Sequence, residues 1–312
     1  MASVVQYLIP FTPYPYTGEK IACDLCGCLS YELICEHDRR FKKLQTVACL
    51  QCGLMRTNPM PTEVEITEYY SNLYRLDYGL TSSKPSRRHL NRSHRKAAYR
   101  MELLGPALKP GARVLDFGCG AGVFLHHAKT AGYETVGIEP GMQFASFARD
   151  EFGLEVINDI WEKVELSGRF DIITAVEVLE HLRHPVRAMR WLAEALSDNG
   201  TLYVTVPNML PTQKETFRRF HFAHLYQFTP TTLTWAGAAA GIEPDPRFEP
   251  MGTHIAFRRA EHGSRVPDFD RNYGEGMHEQ YPHTSISHYL RSGRWLGSMG
   301  ERLTKTVRDT IR

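Results

Sequence analysis

The 312-residue sequence lacks any long apolar run, any basic leader and any internal repeat. Its hydrophobic stretches are far shorter than the roughly 18 to 20 residues that a membrane-spanning helix needs, so we expect no transmembrane segment. The N-terminal region contains no basic stretch followed by an apolar core and small residues, which predicts that no secretory signal is present. Both absences favour a cytoplasmic protein.

The sequence also has little net charge. Lys and Arg total 37 and Asp and Glu total 35, which gives a formal net charge of +2. This balance argues against a nucleic-acid partner held by bulk charge, although it leaves room for a local basic patch. A hydrophobic content of 42% and an aromatic content of 11% are typical of a globular protein. At about 150 residues per domain, the length predicts two domains.

Cysteine occurs in an odd number, which fits a disulfide framework poorly. Six of the seven cysteines lie between Cys23 and Cys52, and this crowding favours a metal site in a reducing compartment. Two Cys-x-x-Cys-Gly turns, separated by 22 residues, each offer two thiolates. We expect them to form a tetrahedral site for a structural Zn²⁺, with the ligands Cys23, Cys26, Cys49 and Cys52.

The chain divides into four regions. Residues 1–62 contain the predicted zinc ribbon, 63–110 a helical linker or lid, 111–260 alternating strands and helices, and 261–312 a polar tail that ends in an amphipathic basic helix. The alternation in the third region predicts an α/β fold with a parallel sheet covered by helices on both faces. Its strands are near-continuous apolar runs, which is typical of strands buried on both sides.

A glycine-rich segment, Asp116-x-Gly118-x-Gly120-x-Gly122, follows the first predicted strand of this region and leads into a helix. Glycines let the backbone approach a ligand closely, and a helix N-terminus adds free N–H groups. Glu139 ends the next predicted strand, where a carboxylate can accept hydrogen bonds from both hydroxyls of a ribose. The spacing of the glycines alone would also suit a dinucleotide-binding loop or a plain tight turn.

Residues 111–260 resemble a class I S-adenosylmethionine-dependent methyltransferase. Asp116–Gly122 matches the first motif of that family, and Gly137-Ile-Glu139 matches the second. The resemblance implies a Rossmann-like, seven-stranded, mostly parallel sheet and S-adenosylmethionine as cofactor. It also implies which residues contact the cofactor. The methionine and ribose would lie against Asp116, Gly118, Gly120 and Gly122. The ribose hydroxyls would bind Glu139, and the adenine would lie beside Asp159 and Ile160.

A second group of polar residues follows the next strands. Glu177-Val-Leu-Glu180-His181 lies at the end of the fourth predicted strand, and His221 and His224 follow the fifth, so both segments reach the same edge of the sheet. Carboxylates and imidazoles meeting there suit either a divalent cation or proton transfer.

The Glu-x-x-Glu-His pattern with a later histidine is similar to two groups of enzymes, the small-RNA 3′-terminal 2′-O-methyltransferases and the ubiquinone-pathway O-methyltransferases. The first group implies one Mg²⁺ or Mn²⁺ that holds vicinal hydroxyls, with the ligands Glu177, Glu180, His181 and His224. Three alternatives remain open. His221 replaces His224 as ligand, Glu180 and His181 only order the loop, or His181 acts beside Glu180 as a metal-free general base.

The segment from Cys52 to Pro61, followed by Glu68-Tyr69-Tyr70, resembles the zinc-ribbon leader of bacterial methyltransferases from glycan and secondary-metabolite pathways. This resemblance implies methyl transfer to a glycan hydroxyl. A small-molecule O-methyltransferase is the alternative, and a nucleic-acid-binding module or RNA-end methyltransferase is a third hypothesis. Tyr70, Tyr74 and Tyr78 recur every four residues and predict either a packed helix face or a lid.

Two flanking segments are rich in basic residues. Between Lys84 and Arg100 there are seven Lys or Arg residues and no acidic residue, which indicates a solvated helix face or a dock for a phosphate-bearing acceptor. The last residues combine Arg and Lys with apolar positions at helical spacing, which are Leu296, Met299, Leu303, Val307 and Ile311. They predict a homodimer contact, docking on the enzyme itself or contact with an anionic membrane surface.

Overall fold

The computed structural model describes residues 4–70, 85–212, 215–261, 267–281 and 286–292. The predictions for Tyr74, Tyr78 and the amphipathic helix after residue 292 lie outside these ranges. Within them, no helix combines the length and the apolar character needed to cross a membrane.

The described strands and helices alternate through most of the chain. The strands are β1 (Tyr31–His37), β2 (Lys43–Cys49), β3 (Met55–Thr57), β4 (Arg113–Phe117), β5 (Glu134–Ile138), β6 (Glu155–Ile157), β7 (Phe170–Val176), β8 (Leu196–Thr205), β9 (Tyr226–Gln227), β10 (Ile242–Pro244) and β11 (His254–Arg259). The helices are α1 (Val4–Leu8), α2 (Glu63–Glu68), α3 (Arg87–Leu104), α4 (Val123–Thr130), α5 (Met142–Phe152), α6 (Pro185–Glu194), α7 (Pro230–Ala239), α8 (Arg271–Glu275) and α9 (Ile286–Arg291).

The larger sheet has seven strands in the order β10-β11-β8-β7-β4-β5-β6. Six strands run in one direction, and β11 is antiparallel to both of its neighbours. The predicted α/β fold with a seven-stranded, mostly parallel sheet is therefore confirmed. The carboxyl ends of β4, β5, β6 and β7 lie at one edge, so the loops that follow them are neighbours.

This sheet is buried on both faces because successive side chains of a strand point to opposite sides. In β7, Ile172 packs in the hydrophobic cluster that contains residues of α3, α4 and α5, whereas Ile173 packs with residues of α6 and α7. Helix α6 is likewise divided into a buried and an exposed side, because its apolar stripe packs against the sheet while its basic residues point outward.

The cysteine-containing region forms a second, antiparallel sheet in the order β1-β2-β3-β9. Its last member, β9, comes from the segment after β8, and Arg56 pairs with Tyr226 across the junction. The described part of the tail also packs here. The Tyr273 hydroxyl lies 2.7 Å from the Thr229 hydroxyl, and a Cβ added to Gly274 would lie 2.4 Å from the Leu50 carbonyl oxygen.

Candidate active site

The glycine-rich loop joins β4 to α4 and is fixed by its backbone conformation and its neighbours. Gly118 and Gly122 have φ angles of +75° and +73°, which residues with a Cβ atom rarely adopt. A Cβ on Gly118 would lie 2.5 Å from Val178 Cγ2, and one on Gly122 would lie 2.7 Å from Ala148 Cβ. The loop therefore packs directly against the segment that carries Glu180 and His181.

A cavity of about 510 Å³ lies between this loop, the end of β7 and helix α3. Of the predicted cofactor residues, Asp116, Gly118 and Gly120 line it, together with His181 and His224 of the second predicted group. Gly122, Glu139, Asp159 and Ile160 are not among the lining residues. The structure thus brings the centre of the first motif and both histidines to one space.

Asp116 and Arg100 form a pair of opposite charges at the base of this cavity. The buried Asp116 carboxylate accepts a 2.5 Å hydrogen bond from the Thr174 hydroxyl and lies 3.7 Å from an Arg100 guanidinium nitrogen. Burial raises the pKa of Asp116, while Arg100 and the Thr174 hydroxyl oppose the rise. Arg100 in turn lies over the ring of Phe124. Sequence reasoning placed Arg100 only within a basic stretch, because its spacing to Asp116 carries no signal.

Glu139 lies beside the loop at the end of β5, as its position in the sequence predicted. Its two carboxylate oxygens accept hydrogen bonds from the backbone N–H groups of Gly120 (2.9 Å) and Gly141 (2.8 Å). The Asn158 amide donates to the Glu139 carbonyl oxygen at 2.8 Å and ties the end of β6 to that of β5. Asp159, next to it, is exposed and accepts a hydrogen bond from the Ile160 N–H.

Glu180 is a buried carboxylate, and neither of its oxygens has a hydrogen-bond partner among the described residues. It belongs to a short 3-10 turn, Leu179–His181, and is only 1% exposed. Its Oε1 lies 3.8 Å from His181 Nε2 and 3.9 Å from His224 Nε2. Burial raises the pKa of Glu180 well above its usual range, and the neighbouring Glu177 adds to the rise.

His181 is held in one tautomer by its surroundings. Its Nδ1 lies 2.7 Å from the Ala223 carbonyl oxygen, which can only accept, so Nδ1 carries the proton and Nε2 keeps its lone pair. The Tyr70 hydroxyl lies 2.7 Å from the same Nδ1 and donates to Ala223 O at 3.1 Å. Burial lowers the pKa of His181 to about 4 and that of His224 well below its ordinary value. Both imidazoles are therefore neutral near pH 7.

The structure brings together three of the four predicted ligands of a second metal. Ligand atoms of Glu180, His181 and His224 all lie within 4.8 Å of one another, and Glu177 is not part of this group. His221, the alternative ligand, packs against the His224 ring at a centroid distance of 3.7 Å and an interplanar angle of 49°, and it is likewise not part of the group.

The donor set of this group fits a divalent cation. Bonds of about 2.0–2.2 Å to one ion would place adjacent ligand atoms roughly 3–3.6 Å apart. The observed 3.8 and 3.9 Å from the Glu180 oxygen to the two imidazole nitrogens are slightly longer than this range, so a bound ion would draw the three side chains together by less than about 1 Å along these two distances. An ion would also supply the partner that the buried Glu180 carboxylate lacks among the described residues.

The four predicted zinc ligands also lie together. Their sulfur atoms are all within 4.8 Å of one another, with 3.6 Å between Cys23 and Cys52 and 3.4 Å between Cys26 and Cys49. Tetrahedral zinc with bonds of about 2.3 Å requires sulfur separations of about 3.8 Å, so the arrangement fits. Gly27 and Gly53 close the two turns by donating to the carbonyl oxygens of Cys23 and Cys49.

A protein-family model described as a methyltransferase domain matches residues 87–245, from the first residue of α3 to just beyond β10. The ubiquinone biosynthesis O-methyltransferase of Xanthomonas campestris pv. campestris (strain B100) is 28% identical over 154 residues, which cover 46% of this chain and 55% of that protein. Its counterpart from Xanthomonas axonopodis pv. citri is 29% identical over 165 residues, covering 50% and 59%. The chain thus spans little more than half the length of these curated relatives.

Solved structures with a similar fold include two enzymes. An amino pentose methyltransferase of calicheamicin biosynthesis from Micromonospora echinaspora, solved with S-adenosylmethionine, has 19% identity and a TM-score of 0.45 and covers 53% of this chain and 91% of its own. The magnesium protoporphyrin IX methyltransferase of Synechocystis PCC 6803 has 16% identity and a TM-score of 0.41 and covers 55% and 84%.

Proposed function

Because the chain belongs to the methyltransferase-domain family, we propose that it transfers a methyl group from S-adenosylmethionine to a hydroxyl oxygen of a sugar or glycan. One observation carries this proposal. The glycine-rich loop lines the same cavity as the two histidines beside Glu180, whose carboxylate has no hydrogen-bond partner among the described residues, so a methyl donor and an activated acceptor would meet there.

The donor would lie along the carboxyl ends of β4, β5 and β6. Its methionine part carries an ammonium and a carboxylate, which match the paired charges of Asp116 and Arg100. From there the ribose would reach Glu139, and the adenine would lie near Asp159 and Ile160. This direction follows the order of the three strands in the sheet, because β5 lies between β4 and β6.

The acceptor would approach His181 and His224 from the cavity side. We propose that these residues and Glu180 hold a divalent cation, and the two imidazoles favour Mn²⁺ over Mg²⁺. When bound, such an ion lowers the pKa of a hydroxyl and can hold two vicinal oxygens. Tyr70 and the Ala223 carbonyl keep the Nε2 lone pair of His181 directed at the group. Glu177 would remain at the cavity wall.

The four cysteines would hold a structural zinc. Their sulfurs leave no open coordination position, so this metal would support the fold rather than bind the acceptor.

A small-molecule O-methyltransferase is the second candidate. The similarity to ubiquinone biosynthesis O-methyltransferases favours it. The proposed cation would hold two adjacent hydroxyls of an aromatic ring, as in a catechol, in the same way as those of a sugar. Both candidates use the same cavity and the same group of ligands, and they differ only in the ring that carries the hydroxyls.

Methyl transfer from labelled S-adenosylmethionine to two acceptor panels tests the proposal. One panel contains sugars and oligosaccharides with vicinal hydroxyls, and the other contains catechols. We expect turnover on members of the sugar panel that is lost in EDTA and restored by Mn²⁺ or Mg²⁺. Turnover on catechols alone would replace the sugar proposal with the second candidate. Full activity after prolonged EDTA, with no second ion in the protein, would leave His181 as a metal-free base.

A further inference from the structure

Helix α3 presents a stripe of positive charge to the cavity. Arg92, Lys96 and Arg100 recur at every fourth residue, which places them on one face of the helix, and all three line the cavity. Like charges at this spacing repel one another, and the helix carries no acidic residue before Glu102 to offset them. The stripe therefore gains stability when anions bind beside it.

Only one end of this stripe has a close carboxylate partner. Arg100 lies deep in the cavity, with its side chain 13% exposed and Asp116 at 3.7 Å. Arg92 and Lys96 are exposed at the cavity mouth, and neither forms an ion pair with an acidic side chain in the described ranges. Lys96 is near enough to Glu177 to oppose the rise in the pKa of that carboxyl, which desolvation causes.

Bound cofactor would leave this imbalance in place. The lining residues include three cations, Arg92, Lys96 and Arg100, against the two carboxylates Asp116 and Glu177. S-adenosylmethionine itself carries one carboxylate against an ammonium and a sulfonium, so it adds a further positive charge. A neutral acceptor would then face an excess of positive charge in a confined space, where charge interactions are stronger than in water.

We propose that the acceptor carries a phosphate group, which binds Arg92 and Lys96 at the cavity mouth while its hydroxyl faces His181 and His224. This inference rests on the proposed function and names the chemical class of its acceptor. Two cations one helical turn apart match a dianion better than a single carboxylate, and a guanidinium can hold two phosphate oxygens at once. The phosphate can belong to a monoester or to the diphosphate of an activated sugar.

Calorimetric titration of the 312-residue chain tests the proposal without a known acceptor. The protein is first saturated with S-adenosylhomocysteine, so that the cofactor carboxylate already occupies its place. It is then titrated with inorganic pyrophosphate, with inorganic phosphate and with acetate, at two salt concentrations. Pyrophosphate binding tighter than phosphate binding would indicate a diphosphate, and equal affinities would indicate a monoester.

Variants on α3 assign the binding to its residues. Arg92→Ala with Lys96→Ala should weaken pyrophosphate binding by about tenfold, which is about 1.4 kcal/mol, because both charged contacts to the phosphates are lost. Arg95→Ala is the matched control, because Arg95 is exposed on the same helix but does not line the cavity. It should change the affinity by less than about twofold. His224→Ala should retain pyrophosphate binding, which separates the α3 site from chelation of a bound cation.

Several results would overturn the inference. These are no pyrophosphate binding by the wild-type protein, equal binding by the double variant, or acetate binding as tight as phosphate binding. Equal loss of S-adenosylhomocysteine affinity in the double variant would assign the two cations to the cofactor instead. Failure of the wild-type protein to bind S-adenosylhomocysteine would contradict the proposed function itself, so the two failures are distinguishable.

Discussion

The Asp24 carboxylate accepts a 2.9 Å hydrogen bond from the backbone N–H of Val186. Asp24 lies between two cysteines of the predicted zinc site, whereas Val186 lies in the first turn of α6, just after the Glu180–His181 segment. A helix N-terminus has unpaired N–H groups and a positive dipole end, so a carboxylate stabilises it. The same carboxylate lies 3.3 Å from His184 Nδ1. The cysteine-rich region thus holds the chain just after the Glu180–His181 segment.

We predict that Asp24→Ala lowers the free energy of unfolding by about 1 kcal/mol, the usual value of a helix cap. Because the cap positions the segment after His181, turnover should fall more than cofactor affinity does. Asp24→Asn keeps an acceptor oxygen and serves as the control, with a smaller loss of both stability and rate. Thermal unfolding, calorimetry and initial rates measure the three quantities. Equal rates in Asp24→Ala and wild type would show that the contact does not reach the active site.

Glu139→Ala should weaken S-adenosylmethionine binding by about 1.5–3 kcal/mol, the value of hydrogen bonds to a charged acceptor. Two causes combine, because the ribose loses its acceptor and Gly120 loses the carboxylate that holds its N–H group. Asp159→Ala is the matched control. Its side chain is exposed, and the proposed adenine position lies beside it, so a smaller loss is expected. Unchanged affinity of Glu139→Ala in calorimetry would show that the ribose lies elsewhere.

Purified protein should contain about one zinc per chain in the four-cysteine site. Cys49→Ser should lose this metal and unfold residues 20–60 first, because binding and folding of a metal site are coupled. Cys28→Ser should keep the zinc, since the Cys28 thiol lies near Ser30 and outside the group of four. Metal analysis and hydrogen exchange of the two variants provide the comparison. Absence of zinc from wild-type protein purified without chelators would contradict the ribbon assignment.

Glu180→Gln should separate stability from activity. Loss of a residue that only hydrogen-bonds to a metal ligand typically lowers activity by about 10- to 100-fold. Loss of a ligand itself should lower turnover at least as much. Without metal, the variant should nevertheless be more stable than the wild type at neutral pH, because the wild type buries a carboxylate whose oxygens have no hydrogen-bond partner in the described part of the chain.

The pH dependence of that stability follows from the raised pKa of Glu180. The folded chain binds this proton more tightly than the unfolded chain. This difference in proton affinity adds to the free energy of unfolding. The added stability is fully present below the pKa of Glu180 in the unfolded chain, about 4.3, and is lost as the pH rises through its pKa in the folded chain. Chemical denaturation of metal-free wild type and Glu180→Gln across this range should give curves that diverge as the pH rises. Parallel curves would mean that Glu180 has another partner.

The parts of the site that sequence could predict are local. Asp116 lies near the end of β4, and the loop glycines and Glu139 directly follow β4 and β5. The apolar runs of these strands are evident in the sequence, so the meeting of these residues at one sheet edge follows from the parallel order. The choice between His221 and His224 could not be made from spacing, because it depends on how the turn after Phe220 packs. The pairing of Arg100 with Asp116 could not be predicted either, since the two residues come from different elements of the fold.

The junction between the two sheets was also beyond sequence reasoning. Strand β9 has two residues, Tyr226 and Gln227, which is too short to give an alternating pattern. It pairs with β3 because the segment after β8, which contains His221 and His224, returns to the cysteine-rich sheet. The tail shows the same limit. Tyr273 and Gly274 read as part of a polar segment, yet they pack against Gly53 and Leu50 near the zinc turns.

The pairing of β3 with β9 has a consequence for protein engineering. A ribbon transplanted from another enzyme would have to match not only the ends of the graft but also the backbone of Tyr226 and Gln227, far downstream in the host chain. A cut after residue 62 would leave two unpaired strand edges, one on each piece, and such edges invite association with other chains. Exchange of substrate specificity between relatives is therefore better attempted by grafting whole chains from β1 through β9 than by swapping the cysteine-rich segment alone.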